Sequence, residues 1–369
     1  MIRYFDLGGH KSLNEVVFAG SHDAGITFGS SNVQTQNLDI LGQAKAGVRL
    51  FDLRIAAAAA TGKQDGVKNA QLRAFHADGM LKKDETKTRF MPELGRNETI
   101  TRTALRGGGF GMTLQKILID ARTFVRSTEG STECLMLKFD KCTNWSLIAE
   151  ACVSVLGDTI YRGGGNLNKK TLQDVKGKVI PLFMPDGLQA VQTDFKPSAG
   201  ILGIVNLAGG GTGYNETFDG VQYFGKGGTS PFNPRKKMTQ NQKKQAKLMA
   251  AGGHGNPNVM GMMYWTTTGL KESIYKRDKG MWSEPNKAKL KGLWRNGMED
   301  AVKAAAPKST NFGSYASGPV IKTFMPNFIM IDFADDDKCQ TIYDLNVTPP
   351  HQFVELDEDE DDMVALDEF

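Results

Sequence analysis

Short apolar runs recur along the chain, and most of them stop on a glycine or a polar cluster. The first, Val16 to Ala19, halts at Gly20 and delivers Ser21, His22 and Asp23 together. Such a run predicts a buried strand that holds a titratable histidine and a carboxylate rigidly at its mouth. The second, Val48–Ile55, places Arg49, Phe51 and Leu53 on one face and Leu50, Asp52 and Arg54 on the other. After an alanine run and the polar stretch Thr61–Asn69, a short strand is predicted at Leu72–Phe75, ending at His76-Ala77-Asp78-Gly79. Met80–Gly109 is polar and reads as an excursion from the core.

The clearest helix is Thr113–Arg126, with Leu114, Ile117, Leu118, Ala121, Phe124 and Val125 at helical spacing and Thr113 placed to cap it. Trp145–Leu156 is a second helix. Further strands are predicted at Cys134–Phe139, Lys178–Phe183, Ile201–Leu207, Val259–Trp265 and Phe328–Phe333, although Pro181 weakens the case for Lys178–Phe183. Strands alternating with helices, with no linker composition between them, predict an α/β fold. The expected architecture is a single irregular (β/α)8 TIM-type barrel over residues 1–354, with long loop insertions. Barrels of this kind do their chemistry at the C-terminal ends of the strands. His22, Asp52 with Arg54, His76 and Asp332 all fall at or near such ends.

Composition sharpens this reading in three places. At 369 residues and 40% hydrophobic content the chain can bury a barrel-sized core. The net charge of +4 hides an asymmetry. The tail, Glu355–Phe369, carries nine acidic residues and no basic one, leaving about +13 on the rest of the chain. A basic body suits anionic surfaces or substrates, and the tail is too charged to join a core. Cys134, Cys142, Cys152 and Cys339 show no CxxC spacing; the first three lie in or beside apolar segments and read as buried thiols, as in a chain made in a reducing cytosol. No apolar run is long enough to cross a bilayer, and the N-terminus lacks a signal-peptide pattern. The expected location is the cytoplasm, or outside the cell by a non-classical export route.

The glycine-rich stretches Gly163–Gly165 and Gly209–Gly213 are followed by no apolar helix, which argues against a nucleotide-binding loop. Lys236, Lys237, Lys243, Lys244 and Lys247 cluster in the loop Gly225–Lys247, and Lys276–Lys291 adds lysines with Trp282, Trp294 following closely. Basic residues mixed with tryptophan fit an interfacial surface for anionic lipid. His10, His254 and His351 lie in flexible settings and read as surface residues.

Gly20-Ser21-His22-Asp23-Ala24-Gly25, followed by Gln43-Ala44-Lys45-Ala46-Gly47-Val48-Arg49-Leu50-Phe51-Asp52-Leu53-Arg54, resembles the bacterial phosphatidylinositol-specific phospholipase C family. Thr113–Phe139, Thr171–Ile180, Val259–Gly269 and Phe328–Phe333 are similar to later segments of that family, in order. The resemblance implies roles. His22 would be the general base and His76 the general acid, with Arg54 on the phosphoryl oxygens. Asp23 would support His76 and Arg54, Asp52 would join the same polar network, and Asp332 would orient the base histidine. Lys138 and Trp265 join Arg54 as candidate substrate-binding residues. The chain departs from the family pattern in the long gap between Arg54 and His76, and in Ala77-Asp78 after the acid histidine.

The chemistry of those side chains points the same way. Cleaving a phosphodiester through a neighbouring hydroxyl needs a base, an acid and a cation over the non-bridging oxygens. The expected enzyme is a phosphoric diester hydrolase or lyase that turns an inositol phospholipid into cyclic inositol phosphate and diacylglycerol. No cofactor is expected. Arg54 stands where calcium-dependent relatives carry acidic residues, although Asp23, Asp52 and Asp140 are carboxylates that an ion would gather. The expected partners are a phospholipid and, peripherally, its membrane, with no nucleic acid. Two rival readings are a metal-dependent glycerophosphodiester phosphodiesterase or sphingomyelinase D-like enzyme, and an inactive barrel that binds headgroups or membranes.

Overall fold

The computed structural model describes residues 1–58, 71–77, 82–91, 95–209, 213–225, 227, 240–245, 256, 258–266, 273–284, 286–287, 290 and 326–347. Eight parallel strands close into a barrel: β1 (Phe18–Ser21), β2 (Val48–Leu53), β8 (Cys134–Phe139), β9 (Lys178–Phe183), β10 (Leu202–Asn206), β11 (Gly220–Gly225), β12 (Met260–Tyr264) and β13 (Phe328–Ile331). The seam joins first strand to last, with Phe18 opposite Phe328 and Ser21 opposite Ile331. Every residue of β1, β2, β8, β11 and β13 is buried, as expected for strands covered on both faces. At Gly20 the Met330 side chain of the neighbouring strand packs into the space that a Cβ would take.

Helices cover the outside. α1 (Ile40–Ala46) leads into β2, and α2 (Leu114–Arg126) starts where the Thr113 hydroxyl accepts a hydrogen bond from the Lys116 amide. α2 buries the periodic apolar face read from the sequence, from Leu114 to Val125. α3 (Trp145–Leu156) follows β8 as predicted. Beneath the barrel wall the fully buried Arg49 donates from Nε to Glu133 at 2.8 Å, with its guanidinium 5.0 Å from the Phe124 ring centroid. That pair ties β2 to the segment between α2 and β8. Among the described residues no helix is long and apolar enough to cross a membrane.

Two strand expectations are corrected. Leu72–Phe75 is a strand, but it lies outside the barrel. As β4 (Leu72–His76) it belongs to a second, five-stranded sheet in the order β5-β6-β3-β4-β7, inserted between β2 and α2. β3 (Ile55–Ala58) continues directly from β2 and pairs antiparallel with β4, which pairs in turn with β7 (Gly109–Thr113). The described part of the polar stretch beginning at Met80 is an excursion from the barrel core, as expected. It forms an exposed antiparallel hairpin of β5 (Lys82–Met91) and β6 (Arg96–Leu105), closed by the Thr86–Thr101 and Thr88–Thr99 hydroxyl pairs. The eighth place in the barrel is taken by β11, whose sequence GVQYFG is bracketed by glycines and carries a glutamine, so no apolar run announced it. The Gln222 amide faces away from the lumen and pairs with the backbone of Asn215.

Trp282 is also corrected. It is 8% exposed, with the Lys338 ammonium 5.7 Å from its ring centroid, so it packs inside and offers nothing to a lipid surface. All four cysteines are buried and free. Thr61–Asn69, Asp78, Gly79, Lys236, Lys237, Lys247, His254, Trp294, His351 and the acidic tail lie outside the described residues.

Candidate active site

The rim where β1, β2 and β13 end brings five of the predicted residues within reach of one another. Asp23 is the hub. Its Oδ2 lies 2.8 Å from His76 Nδ1 and 3.7 Å from His22 Nε2, and its Oδ1 lies 3.3 Å from Arg54 Nε. Neither Arg54 Nε nor Asp23 Oδ1 completes a hydrogen bond, so the contact is an ion pair with spare capacity on both sides. Asp332, just past β13, sits 3.0 Å from His22 Nδ1.

Each histidine is therefore tied to a carboxylate through Nδ1, while His22 Nε2 faces Asp23 Oδ2 beyond hydrogen-bond distance. His22 is nearly closed to solvent, whereas His76 and Arg54 keep part of their surface exposed at the mouth.

The backbone explains how Asp23 reaches three partners. Its φ of 44° is in the left-handed region, uncommon for a residue with a Cβ. That turn is held on several sides. The Ala24 amide donates to the Asp52 carbonyl at 2.9 Å, and the Thr35 hydroxyl donates to the Asp23 carbonyl at 2.9 Å. Gln36 donates from Nε2 to the carbonyls of His22 and Ile331 and accepts from the Ala334 amide. Gln43, part of the sequence motif, accepts from the Ser21 hydroxyl and donates to the Ala24 and Leu38 carbonyls. Arg54 is steadied from behind, since its carbonyl accepts from the Phe75 amide at 2.9 Å, which also docks β4 and with it His76.

Charge follows from this packing. Burial works against a charged His22, but the carboxylates of Asp23 and Asp332 overcome it and lift His22 to about 9. Burial likewise opposes a charged Asp23, yet Arg54, His22 and His76 hold its carboxyl far below the usual carboxylate range. Asp23 in turn raises Arg54 above the ordinary guanidinium range, with burial opposing.

A second group lies deeper. Lys138 on β8, fully buried, donates to Asp52 Oδ1 at 2.7 Å and lies 3.5 Å from Asp140 Oδ2. Burial alone would strip its proton, but Asp52 beside it keeps the ammonium charged well above the usual lysine range. Tyr264 on β12 joins the two groups. Its ring meets His22 edge-on at 6.0 Å, and burial raises its phenol above the usual range while the Lys138 charge opposes that. Tyr264 and Gln36 had no mark in the sequence pattern.

Trp265 is not brought into either group. It is fully buried, its indole N–H donates to the Met281 carbonyl at 3.2 Å, and its amide donates to Met330. Among the described residues no group of three or more His, Cys, Asp and Glu side chains is arranged to hold a metal ion.

Two imidazoles and a guanidinium are thus gathered around the one carboxylate of Asp23 at the rim. Such a site suits an anionic tetrahedral group that gains a proton on one side and loses one on the other.

No family model and no curated protein matches the sequence. Solved structures do. A mutant of the phosphatidylinositol-specific phospholipase C of Staphylococcus aureus aligns at 18% identity and a TM-score of 0.51, over 92% of this chain and 96% of that one. A second structure of the S. aureus enzyme, concerned with modulation of its membrane binding, aligns at 17% identity and TM-score 0.51, covering 92% and 95%. The phosphatidylinositol-specific phospholipase C of Listeria monocytogenes aligns at 13% identity and TM-score 0.49, covering 91% and 95%. The chain shares its barrel fold with the S. aureus enzyme from near one end to the other.

Proposed function

We propose that the protein is a metal-independent phosphodiesterase of the phospholipase C type, acting on an inositol phospholipid. The observation that carries this reading is the Asp23 carboxylate held between His22, His76 and Arg54, with each histidine fixed through Nδ1.

In this reading the lipid phosphate sits over Arg54, whose guanidinium neutralises the non-bridging oxygens in two-point geometry. His22 Nε2, in the neutral form that is minor at pH 7 and grows as pH rises toward about 9, takes the proton from the inositol hydroxyl next to the phosphate, and the freed oxygen attacks phosphorus. The bond from phosphorus to the glyceride oxygen breaks, and His76 Nε2 hands that oxygen a proton. The products are a cyclic inositol phosphate and diacylglycerol. Asp332 stabilises the imidazolium of His22, and Asp23 orients His76 through Nδ1. Acid and base each supply about 10²–10⁴-fold. Lys138, with Asp52 and Tyr264, forms the deeper polar floor on which headgroup hydroxyls rest.

Metal independence is supported by the cations already in place. Arg54 stands beside Asp23, and the Asp52 carboxylate is taken by Lys138, so neither acid is left unneutralised. Peripheral membrane association is supported by exposed side chains next to the rim. Phe28 is 49% exposed and Tyr275 45%, with Lys276 and Lys279 on the same helix, Ile274–Met281. The Ile274 amide donates to the Ser31 carbonyl, which keeps that helix beside the loop carrying Phe28.

The test is incubation with phosphatidylinositol vesicles in excess EDTA, following release of diacylglycerol. Release supports the reading. Release only after calcium is added favours the metal-dependent alternative, and headgroup binding without release favours an inactive barrel.

A further inference from the structure

Lys338 lies on the helix Asp336–Asp344, which follows β13, and no part of the acid–base scheme uses it. It is 7% exposed, and its ammonium has three acceptors: Asp278 Oδ2 at 2.5 Å, the Asp332 carbonyl at 2.9 Å and the Phe333 carbonyl at 2.8 Å. A lysine has three N–H donors, so all are spent. Two of them fall on consecutive carbonyls, which would repel each other at the turn if no cation lay between them. Phe333 has a φ of 46°, and its amide donates to the Thr35 carbonyl at 2.7 Å. The chain leaving β13 is therefore bent sharply at the residue after Asp332, whose side chain meets His22.

Asp278 is 6% exposed and comes from another element, the helix Ile274–Met281. The other groups facing the ammonium are the Trp282 ring, 5.7 Å away, and Asp335 Oδ2 at 4.0 Å. Asp278 is the carboxylate bonded to it, so the aspartate fixes where the ammonium sits.

We propose that Lys338 and Asp278 are positioning residues for His22: the Asp278-anchored ammonium clamps the carbonyls of Asp332 and Phe333, and this holds the Asp332 carboxylate against His22 Nδ1. Only the kinetic consequence rests on the proposed phospholipase reading. The hydrogen bond itself is observable in the resting protein.

The experiment is proton NMR of histidine-¹⁵N-labelled full-length chain, reading the downfield Nδ1–H signal of His22, with Asp332→Asn to assign it. Lys338→Met, checked for an unchanged circular dichroism spectrum, is expected to shift that signal upfield and speed its exchange with water about tenfold or more. With phosphatidylinositol vesicles, kcat is expected to fall about 10–100-fold while KM stays within about threefold, as for a misplaced catalytic group. An unchanged signal and exchange rate in folded Lys338→Met overturns the proposal. Should Lys338→Met not fold, Asp278→Ala carries the test. It leaves both carbonyl contacts possible but removes the anchoring acceptor, and is expected to give an intermediate shift, whereas no shift overturns the proposal. A wild-type protein inactive on the lipid would contradict the function proposed above and leave the NMR arm intact.

Discussion

Asp23 Oδ2 and His76 Nδ1 meet at 2.8 Å although the residues lie 53 positions apart and are carried by different sheets. The aspartate lies in the turn just past barrel strand β1, and the histidine ends β4 of the inserted sheet. One half of the acid–base pair is thus barrel-borne and the other is delivered from outside, with Asp23 as the joint between them.

That joint makes Asp23→Asn the most informative single change. Asparagine tolerates the left-handed backbone better than most residues, so the turn is kept while the charge is lost. The expected outcome is a folded protein whose kcat falls by about 10²–10³-fold, because one amide can neither neutralise Arg54 nor hold both imidazolium forms. Steady-state kinetics with the melting temperature measured alongside checks this, and near-wild-type kcat would refute it.

His22 is expected to titrate near 9 and to remain imidazolium in the resting protein at pH 7. Its folded value lies above the ordinary 6.5, so its contribution to stability is complete below about 6.5 and is lost as pH rises through about 9. Asp23 runs the other way. Its lowered value contributes above the ordinary carboxylate range and is lost as pH falls. NMR titration of His22 measures the first directly, and a midpoint at or below 6.5 would contradict it. Asp332→Asn is expected to lower the midpoint, since it removes one of the two carboxylates that raise it.

Arg54→Lys keeps a positive charge but loses the planar fork, so it separates charge from geometry. The fall in kcat/KM is expected to be about tenfold or more, with little change in melting temperature, because the side chain is partly exposed and its ion pair is incomplete. Full activity in Arg54→Lys would show that a point charge suffices.

Lys138→Met leaves Asp52 buried without its ammonium, and the expected cost is about 3–5 kcal/mol in urea unfolding. Adding Asp52→Asn to that variant is expected to recover part of the loss, since the uncompensated charge disappears. Equal stability of Lys138→Met and wild type would mean that water or Arg54 takes over the compensation of Asp52.

Most barrel strands were legible because a strand buried on both faces must be continuously apolar. Cys134–Phe139 satisfies this except at Lys138, and Val48–Leu53 except at Arg49 and Asp52, which are paired with Glu133 and Lys138. α2 was legible from its periodicity and its threonine cap. β11 was not, because two glycines and an outward glutamine supported by Asn215 break the apolar signal. The placement of β4 was hidden for another reason. A short apolar strand looks the same whether it pairs in parallel within a barrel or antiparallel with β3, and only the pairing of Ile55 with Ala74 decides it. Among the site residues, His22, Asp23, Arg54 and His76 stood out by chemistry and by lying at strand ends. Gln36 and Lys338 act through backbone carbonyls, and no residue spacing marks a side chain that bonds to main chain far away in sequence.

The most direct test of the central claim is phosphorus NMR of phosphatidylinositol vesicles incubated with the protein in EDTA, alongside His22→Ala and His76→Ala. The account predicts the signal of a cyclic phosphodiester with the unmutated protein and its absence, or a rate at least about 10²-fold lower, with either variant. A cyclic product formed equally fast without His22 or His76, or no phosphodiester cleavage by the unmutated protein with or without calcium, would contradict it.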